Sequence, residues 1–335
     1  MPATFSIHLK PSVILILGVD VRQRAESGLP IILLATREGM TVVYLEPVLI
    51  PVNEGLDADG HGRDFWLGEG VSLYLGARLV FYRRRLLLNT HTHKLEFFLN
   101  PDEIPPYAIL SHTWGGDEVT FKDLSAGPLR TYKDQAGGRK IIKAAAYAAT
   151  NGWDYIWIDT CCIDKSDITE LSEAINSMFR WYEHAHVCYA YLSDVPPMRP
   201  ASKHPWKWSF RSSRWFTRGW TLQELLAPTF LEFLDRDWNL IGSREEWAAE
   251  VERATGIEVK QLANFQPCSI ATKLSWAAKR QTTRVEDRAY SLLGLLGINM
   301  PLIYGEGERA FIRLQHELIR SSNDESIFAW GDPRG

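Results

Sequence analysis

The amino-acid sequence predicts an α/β fold, with a parallel sheet flanked by helices and a helical C-terminal portion. Apolar runs of four to six residues recur from Tyr107 onward, and runs of that length are typical of strands. Segments of helical periodicity separate them, an alternation typical of βαβ units whose parallel sheet is covered on both faces. After Asp237 the helical patterns follow one another largely without strands, which predicts the C-terminal portion.

Four strands are predicted in the α/β part. They are YAIL (107–110), DYIWID (154–159), VCYAYL (187–192) and FLEFLD (230–235). Between the first two, GRKIIKAAAYAATNG (138–152) predicts a helix, because alanine has the highest helix propensity. Parallel strands joined through such helices are expected to have right-handed connections.

The clearest helix signal lies between the second and third strands. Asp167 and Glu170 resemble a capping box at its start. The apolar residues that follow share one face at helical spacing: Ile168, Leu171, Ile175, Met178, Phe179 and Tyr182. A shorter helical turn is predicted for TLQELLAP (221–228), before the fourth strand.

The C-terminal portion begins with a second helix-start signal. Ser243 and Glu246 form a capping box, and Gly256 stands where a helix stop is expected. Further helices are predicted near 270–279, 284–296 and 305–320, and SIFAW (326–330) is predicted as a last strand.

Residues 1–84 differ in composition from the rest of the chain. Of the 13 tryptophans only Trp66 lies there, and its Ile, Leu and Val runs are interrupted by Gly and Pro. Such runs predict short strands without a long helix. We therefore expect a boundary near the basic cluster Arg83, Arg84 and Arg85.

Charge and composition exclude several classes of protein. The chain has 37 basic and 41 acidic residues, so it does not bind nucleic acid through bulk positive charge. The longest apolar run near the start, Val13 to Val19, is far shorter than a membrane span of about 20 residues. Four cysteines in 335 residues are too few for a disulfide framework. A cytoplasmic protein with reduced thiols is expected.

Polar and aromatic residues follow the predicted strands where each strand ends. Ser111, His112 and Trp114 follow the first strand, and Asp159 ends the second. In an open parallel sheet, ligands bind beyond the carboxyl ends of the strands. Loops are polar in any case, so packing of the aromatics and turn capping by Asp159 remain alternatives.

Four longer motifs carry a resemblance to a known family. They are YAILSHTWGGDEVTFKDL (107–124), residues 154–195, SRWFTRGWTLQELLAP (213–228) and residues 282–319. Together they resemble the heterokaryon incompatibility (HET) domain of filamentous fungi, from about Arg85 to Trp330. The resemblance implies a domain at 85–330, with an α/β part at 85–237 and a mainly helical part at 238–330. It leaves residues 1–84 as an extension without a family counterpart, either poorly ordered or a gene-model artefact.

This resemblance implies both a fold and a function. HET proteins trigger programmed cell death when genetically unlike fungal cells fuse, a form of innate immunity. Their domain is distantly similar to TIR domains, which share a flavodoxin-like parallel sheet and in some members cleave NAD. We therefore expect a flavodoxin-like, TIR-like fold and an incompatibility effector. The expected partners are further copies of the chain or other incompatibility or NLR-type proteins.

A candidate catalytic residue follows from the TIR resemblance. NAD-cleaving TIR proteins carry a Glu four residues after a Trp, on a helix that follows a Ser-rich loop. Ser212, Ser213, Trp220 and Glu224 resemble that arrangement. Glu224 is thus the expected catalytic residue, with NAD as substrate and no cofactor required. The residues expected to shape the pocket are Ser111, His112, Trp114, Asp159 and Trp220.

Physical chemistry supports this role for Glu224 and also leaves an alternative. On a helix, Trp220 and Glu224 share a face, so the indole could shield the carboxylate. A carboxylate stabilises the oxocarbenium character that develops when a ribosyl bond breaks, and its desolvation raises the pKa. Thr221 and Glu224 fit a structural capping box equally well. A non-enzymatic signalling module acting through self-association or partner recruitment is the second functional hypothesis.

The pattern of histidine and cysteine residues does not predict a metal site. His184, His186 and Cys188 alternate along the chain, so an extended segment would direct all three to one side. The two histidines lie where the preceding helix should end, and the spacing dictates no fourth ligand.

Overall fold

The computed structural model describes residues 85–98, 100–198 and 206–328, together with three short strands nearer the N terminus. The chain divides into two compact units, Met1–Arg83 and Arg84–Gly335. None of the helices in the described residues combines the length and apolar composition needed to span a bilayer.

The first unit contains a small antiparallel sheet. Its strands are β1 (Ile14–Leu15), β2 (Ile31–Thr36) and β3 (Gly39–Tyr44), in the order β1-β2-β3. The other residues of the predicted N-terminal extension lie outside the described part of the chain, and the prediction about its order and origin remains open.

The second unit contains a seven-stranded mixed sheet. Its strands are β4 (Arg85–Asn89), β5 (Leu95–Phe98), β6 (Ala108–His112), β7 (Tyr155–Trp157), β8 (Val187–Tyr191), β9 (Leu231–Leu234) and β10 (Leu240–Ser243). They are hydrogen-bonded in the order β10-β9-β8-β6-β7-β4-β5. The four strands predicted from apolar runs are β6 to β9, and they form the parallel centre.

The predicted parallel sheet is confirmed at its centre, but both edges of the sheet are antiparallel. Strand β4 pairs antiparallel with β5 and β7, and β10 pairs antiparallel with β9. The connection from β4 to β5 and that from β9 to β10 are each five residues long. A parallel crossover needs about a dozen residues or more, so these short loops return the chain as hairpins.

Helices cover the sheet and form most of the C-terminal portion. The described residues contain α1 (Phe121–Ala126), α2 (Ala136–Thr150), α3 (Ile168–His184), α4 (Trp206–Arg211), α5 (Thr221–Leu226), α6 (Ala248–Thr255), α7 (Val259–Ala263), α8 (Ile270–Ala277), α9 (Asp287–Tyr290), α10 (Leu293–Leu296) and α11 (Arg309–Ser321). Short 3-10 helices lie at Pro101–Glu103, Leu129–Tyr132, Arg214–Thr217 and Glu325–Phe328.

The helix boundaries follow local hydrogen bonding. Asp167 caps α3 by accepting the backbone N–H groups of Thr169 and Glu170, which satisfies two otherwise unpaired donors. Gly256 ends α6 in the left-handed conformation, with φ 76°, where glycine has no steric penalty. The predicted helix starts and stops are confirmed at these positions.

The predicted last strand, SIFAW, was wrong over its described residues. Glu325–Phe328 form a 3-10 helix, and residues 329–330 lie outside the description. Side-chain oxygens in this segment accept the first N–H groups of α8: Asp324 accepts that of Ile270 at 2.7 Å and Ser326 that of Ala271 at 3.1 Å. These two side chains therefore complete the start of α8.

Close packing between α3 and α10 gives a stability prediction. A Cβ atom on Gly294 would lie 2.0 Å from Cβ of Phe179, an atom fixed to the α3 backbone. We expect Gly294→Ala to lower the free energy of unfolding by about 1–3 kcal/mol because the two helices must separate. Gly116→Ala is the matched control, since a Cβ there meets nothing within 4 Å. Urea unfolding should shift for Gly294→Ala only, and equal midpoints would contradict the packing.

Candidate functional site

Ser111, near the carboxyl end of β6, lies at the centre of a buried hydrogen-bonded group. Its hydroxyl donates to the Glu224 carboxylate and accepts the indole N–H of Trp215 at 2.8 Å. Ser111 and Trp215 are fully buried, and Glu224 is 6% exposed. Because the indole occupies the acceptor side of the hydroxyl, the hydroxyl proton is directed to the carboxylate.

Helix α5 holds Glu224 inside the protein. All six residues of α5 are buried, so this helix has no solvent-facing side on which the carboxylate could be hydrated. Burial raises the pKa of Glu224 to about 8, and the negative charge of Asp159 acts in the same direction. The hydrogen bond from Ser111 and the positive charge of Arg280 oppose the shift. Glu224 is therefore mostly protonated at neutral pH.

Arg280 brings a positive charge from the C-terminal portion to this group. Its Nη1 donates to the carbonyl of Arg218 at 2.9 Å and to the hydroxyl of Thr221 at 3.0 Å. Its Nη2 is buried without a hydrogen-bond partner among the described residues. Backbone pairing of Gly219 with Gln281 fixes the two segments together. Arg280 could not be assigned to this group from the sequence, because no local pattern indicates which distant helix its segment joins.

A second group is built around Asp159, just after β7. One carboxylate oxygen pairs with His112 Nε2 at 3.0 Å, and the other accepts the indole N–H of Trp114 at 2.8 Å. The Lys165 ammonium lies 3.7 Å from the centre of the Trp114 ring. Burial alone would raise the pKa of Asp159, but the hydrogen bond from His112 and the charge of Lys165 lower it below its usual range.

The two carboxyl groups therefore differ in charge at neutral pH. Asp159 is ionised, whereas Glu224 is mostly neutral. The raised pKa of Glu224 is partly caused by the charge of Asp159, so the two groups interact across the end of β6. Paired carboxyl groups whose pKa values are driven apart are a common arrangement for acid and base roles in active sites.

The structure brings together five of the six predicted site residues in these two groups. Ser111 lies with Glu224, and His112 and Trp114 lie with Asp159. The sixth residue, Trp220, belongs to neither group: its side chain lies close to Asp287 and lowers the pKa of that carboxyl group. The tryptophan that contacts the Ser111–Glu224 pair is Trp215, which lies in the motif SRWF and was not predicted as a site residue.

The alternative interpretation of Glu224 as half of a capping box was wrong. The N-cap position of α5 is Trp220, without a side-chain capping bond. The Thr221 hydroxyl donates back to the carbonyls of Trp215 and Arg218, and the Glu224 carboxylate is turned to Ser111. Glu224 therefore does not serve to start its own helix.

Comparisons with known proteins agree with the resemblance seen in the motifs. The family model "Heterokaryon incompatibility protein (HET)" matches residues 107–199, the segment that carries Ser111, His112, Trp114 and Asp159. The vegetative incompatibility protein HET-E-1 of Podospora anserina is 47% identical over 239 residues. The match covers 69% of this chain and 17% of that relative's length. No solved structure matches the chain significantly. The chain therefore contains a heterokaryon incompatibility (HET) domain and belongs with the fungal HET domain proteins.

Proposed function

We propose that the chain is an effector of fungal heterokaryon incompatibility that induces cell death by hydrolysing NAD at Glu224. The observation that carries the enzymatic part is the buried Ser111–Glu224 pair at the carboxyl end of β6, beside the ionised Asp159. The incompatibility role is supported by the HET family match and by the name of the relative from Podospora anserina.

The strand order supports a flavodoxin-like, TIR-like arrangement of the sheet. The parallel centre runs β7-β6-β8-β9, which is the order 2-1-3-4 when these strands are numbered along the chain. Flavodoxin-like sheets have the order 2-1-3-4-5, and their ligand lies at the switch point between the first and third strands. In this chain that switch point lies between β6 and β8, where Ser111 and His112 are located.

The proposed reaction assigns a role to each group. When the bond between ribose C1′ and the nicotinamide nitrogen breaks, its electron pair neutralises the nicotinamide ring and the ribose acquires oxocarbenium character. Ionised Glu224 stabilises that cation, and Ser111 holds the carboxylate in position. Water then adds to C1′, and its proton passes to Glu224. Asp159, oriented by His112, accepts hydrogen bonds from ribose hydroxyls. NAD is the substrate, and the scheme requires no cofactor.

The charge state of Glu224 suits a positively charged substrate. Neutral Glu224 predominates without ligand, because its pKa is raised to about 8. The nicotinamide ring of NAD carries a positive charge, which lowers the pKa of a nearby carboxyl group. Substrate binding thus produces the ionised form that the reaction uses.

The low exposure of Glu224 favours a second candidate, a non-enzymatic signalling module. At 6% exposure the carboxyl group is covered by protein, so a substrate reaches it only if the surrounding segments move. In this second candidate the Ser111–Glu224 pair is structural, and the domain acts by self-association or by recruiting other incompatibility or NLR-type proteins.

The deciding experiment measures nicotinamide release from NAD by the purified full chain over a wide range of protein concentration. We expect Glu224→Gln to lower the rate at least about hundredfold, as loss of an electrostatic stabiliser does. Glu232→Gln is the control, since Glu232 is paired in register with Tyr189 on the neighbouring strand and belongs to neither group. If no nicotinamide is released at any protein concentration, the chain is not an NAD hydrolase. If Glu224→Gln releases nicotinamide at an unchanged rate, catalysis takes place elsewhere in the chain.

We propose that the effector acts in the cytoplasm. All four cysteines, Cys161, Cys162, Cys188 and Cys268, are free thiols, which is usual for proteins of a reducing compartment.

A further inference from the structure

A cleft of about 310 Å³ opens at the carboxyl ends of β6 and β8. Thr113 forms its wall on the β6 side, and Tyr191 and Ser193 form its wall on the β8 side. Residues from the first turns of α2 also line it, and Trp238 lines it beside Tyr191. The cleft thus lies at the switch point of the parallel sheet, where open α/β sheets bind ligands.

The cleft is lined by more positive than negative side chains. Its cations are Arg139, Lys140, Lys143 and Arg214, and its carboxylates are Asp117 and Glu118. Asp117 accepts the backbone N–H of Ala136 at 2.9 Å. Glu118 accepts both the backbone N–H of Gly115 at 2.6 Å and the Lys140 ammonium at 2.5 Å. Both carboxylates are therefore engaged in holding the walls of the cleft.

Three of the cations are exposed, Arg139, Lys143 and Arg214, and two of them, Lys143 and Arg214, come from different elements that line the cleft. Lys143 extends from α2, and Arg214 extends from the 3-10 helix that follows α4. Arg214 Nη2 donates to the Ser193 hydroxyl at 3.1 Å, which fixes the guanidinium at the end of β8. The remaining guanidinium N–H groups and the Lys143 ammonium suit an anion with several oxygens, because guanidinium and ammonium groups bind phosphate by charge-assisted hydrogen bonds.

The wall opposite α2 is rigid. The rings of Tyr191 and Trp238 are stacked at 4.4 Å with an angle of 17° between their planes, and the Tyr191 hydroxyl donates to the carbonyl of Arg236 at 3.1 Å. A preformed wall lowers the entropy cost of holding a ligand.

We propose that this cleft binds the diphosphate of the dinucleotide, held between Lys143 and Arg214. The assignment rests on the proposed function. Thr113 directly follows His112, which is paired in register with Tyr191, so the cleft borders the His112–Asp159 pair that the proposed reaction assigns to the ribose hydroxyls. In NAD the diphosphate is joined to the nicotinamide ribose through a single methylene group. A ribose whose hydroxyls bind Asp159 therefore directs the diphosphate toward the cleft.

The test uses inorganic pyrophosphate as the probe and calorimetry on the full chain. Lys143→Gln combined with Arg214→Gln should weaken pyrophosphate binding about tenfold or more, since charge-assisted hydrogen bonds are lost at both walls. The matched control is Lys279→Gln combined with Arg309→Gln, which removes one exposed lysine and one exposed arginine that do not line the cleft. No pyrophosphate binding by the wild-type chain, or equal weakening by the control, would overturn the proposal.

NAD turnover separates this proposal from the proposed function. If nicotinamide is released, the cleft variant should raise the KM for NAD about tenfold or more and the control variant should not. Release with an unchanged KM in the cleft variant would overturn the diphosphate site and leave catalysis at Glu224 intact. Binding of pyrophosphate that depends on Lys143 and Arg214, without any nicotinamide release, would support the anion site and exclude the hydrolase.

Discussion

Glu224→Gln is expected to remove most of the stability loss that the wild-type chain shows as the pH rises from about 4.5 to about 8. The folded protein holds the Glu224 proton up to about pH 8, whereas the unfolded chain releases it near the ordinary value of 4.5. Within this range the folded state binds more protons, so the free energy of unfolding falls as the pH rises. The contribution of the Glu224 proton to the free energy of unfolding is fully present below the unfolded-state pKa of 4.5. It is lost as the pH rises past the folded-state pKa of about 8.

The expected size of the effect is large. Separation of the two pKa values, 4.5 and about 8, corresponds to at most about 5 kcal/mol, at about 1.4 kcal/mol per pH unit. A glutamine has nearly the same shape and no titrating proton, so its contribution does not vary with pH. Urea unfolding at a series of pH values, followed by tryptophan fluorescence, measures the difference. Twelve of the 13 tryptophans lie from Trp114 onward, so the signal reports on the second unit.

An exposed carboxyl group supplies the comparison. Glu183→Gln removes a solvent-exposed carboxyl group at the end of α3, and its stability curve should run parallel to that of the wild type. A Glu224→Gln curve that also runs parallel to the wild type would show that Glu224 has an ordinary pKa in the folded protein. The electrostatic argument for the site would then be wrong.

The sequence was sufficient to predict the parallel centre of the sheet and the polar residues at the carboxyl ends of its strands. Short apolar runs predicted β6 to β9, and the general rule for strand ends identified Ser111 and Asp159. Such strands are buried on both faces, so each appears as a continuous apolar run. Of the antiparallel edge strands, β10 has the sequence LIGS, which shows no alternation of apolar and polar residues that would distinguish it from a loop.

The interior of the candidate site could be predicted only in part. Glu224 was identified through a spacing from Trp220 that resembles the TIR pattern, yet the indole that contacts the Ser111–Glu224 pair belongs to Trp215. The reason is that α5 is buried on every side, so tertiary packing and not helical spacing decides which ring meets the pair. Arg280 is 56 positions from Glu224 in the chain, and its placement depends on the pairing of Gly219 with Gln281.

Arg280→Met is expected to destabilise the chain at every pH and to do so more strongly above about pH 8. The substitution removes the hydrogen bonds to Arg218 and Thr221, which costs about 1–3 kcal/mol whatever the charge of Glu224. It also removes the positive charge that lowers the pKa of Glu224. Above the wild-type value of about 8, the folded variant still holds the Glu224 proton where the wild type releases it, so a further penalty develops.

A double-mutant cycle isolates this second effect. The interaction energy between Arg280→Met and Glu224→Gln should be close to zero at about pH 6 and should reach about 1 kcal/mol or more at about pH 9, because only ionised Glu224 is attracted to the guanidinium. Other groups that titrate in this range cancel in the cycle. Arg280→Lys keeps the charge and should retain part of the interaction at the higher pH. Equal interaction energies at the two pH values would show that the charge of Arg280 does not attract ionised Glu224. Arg280 would then not help to set the charge state of Glu224 on which the proposed reaction depends.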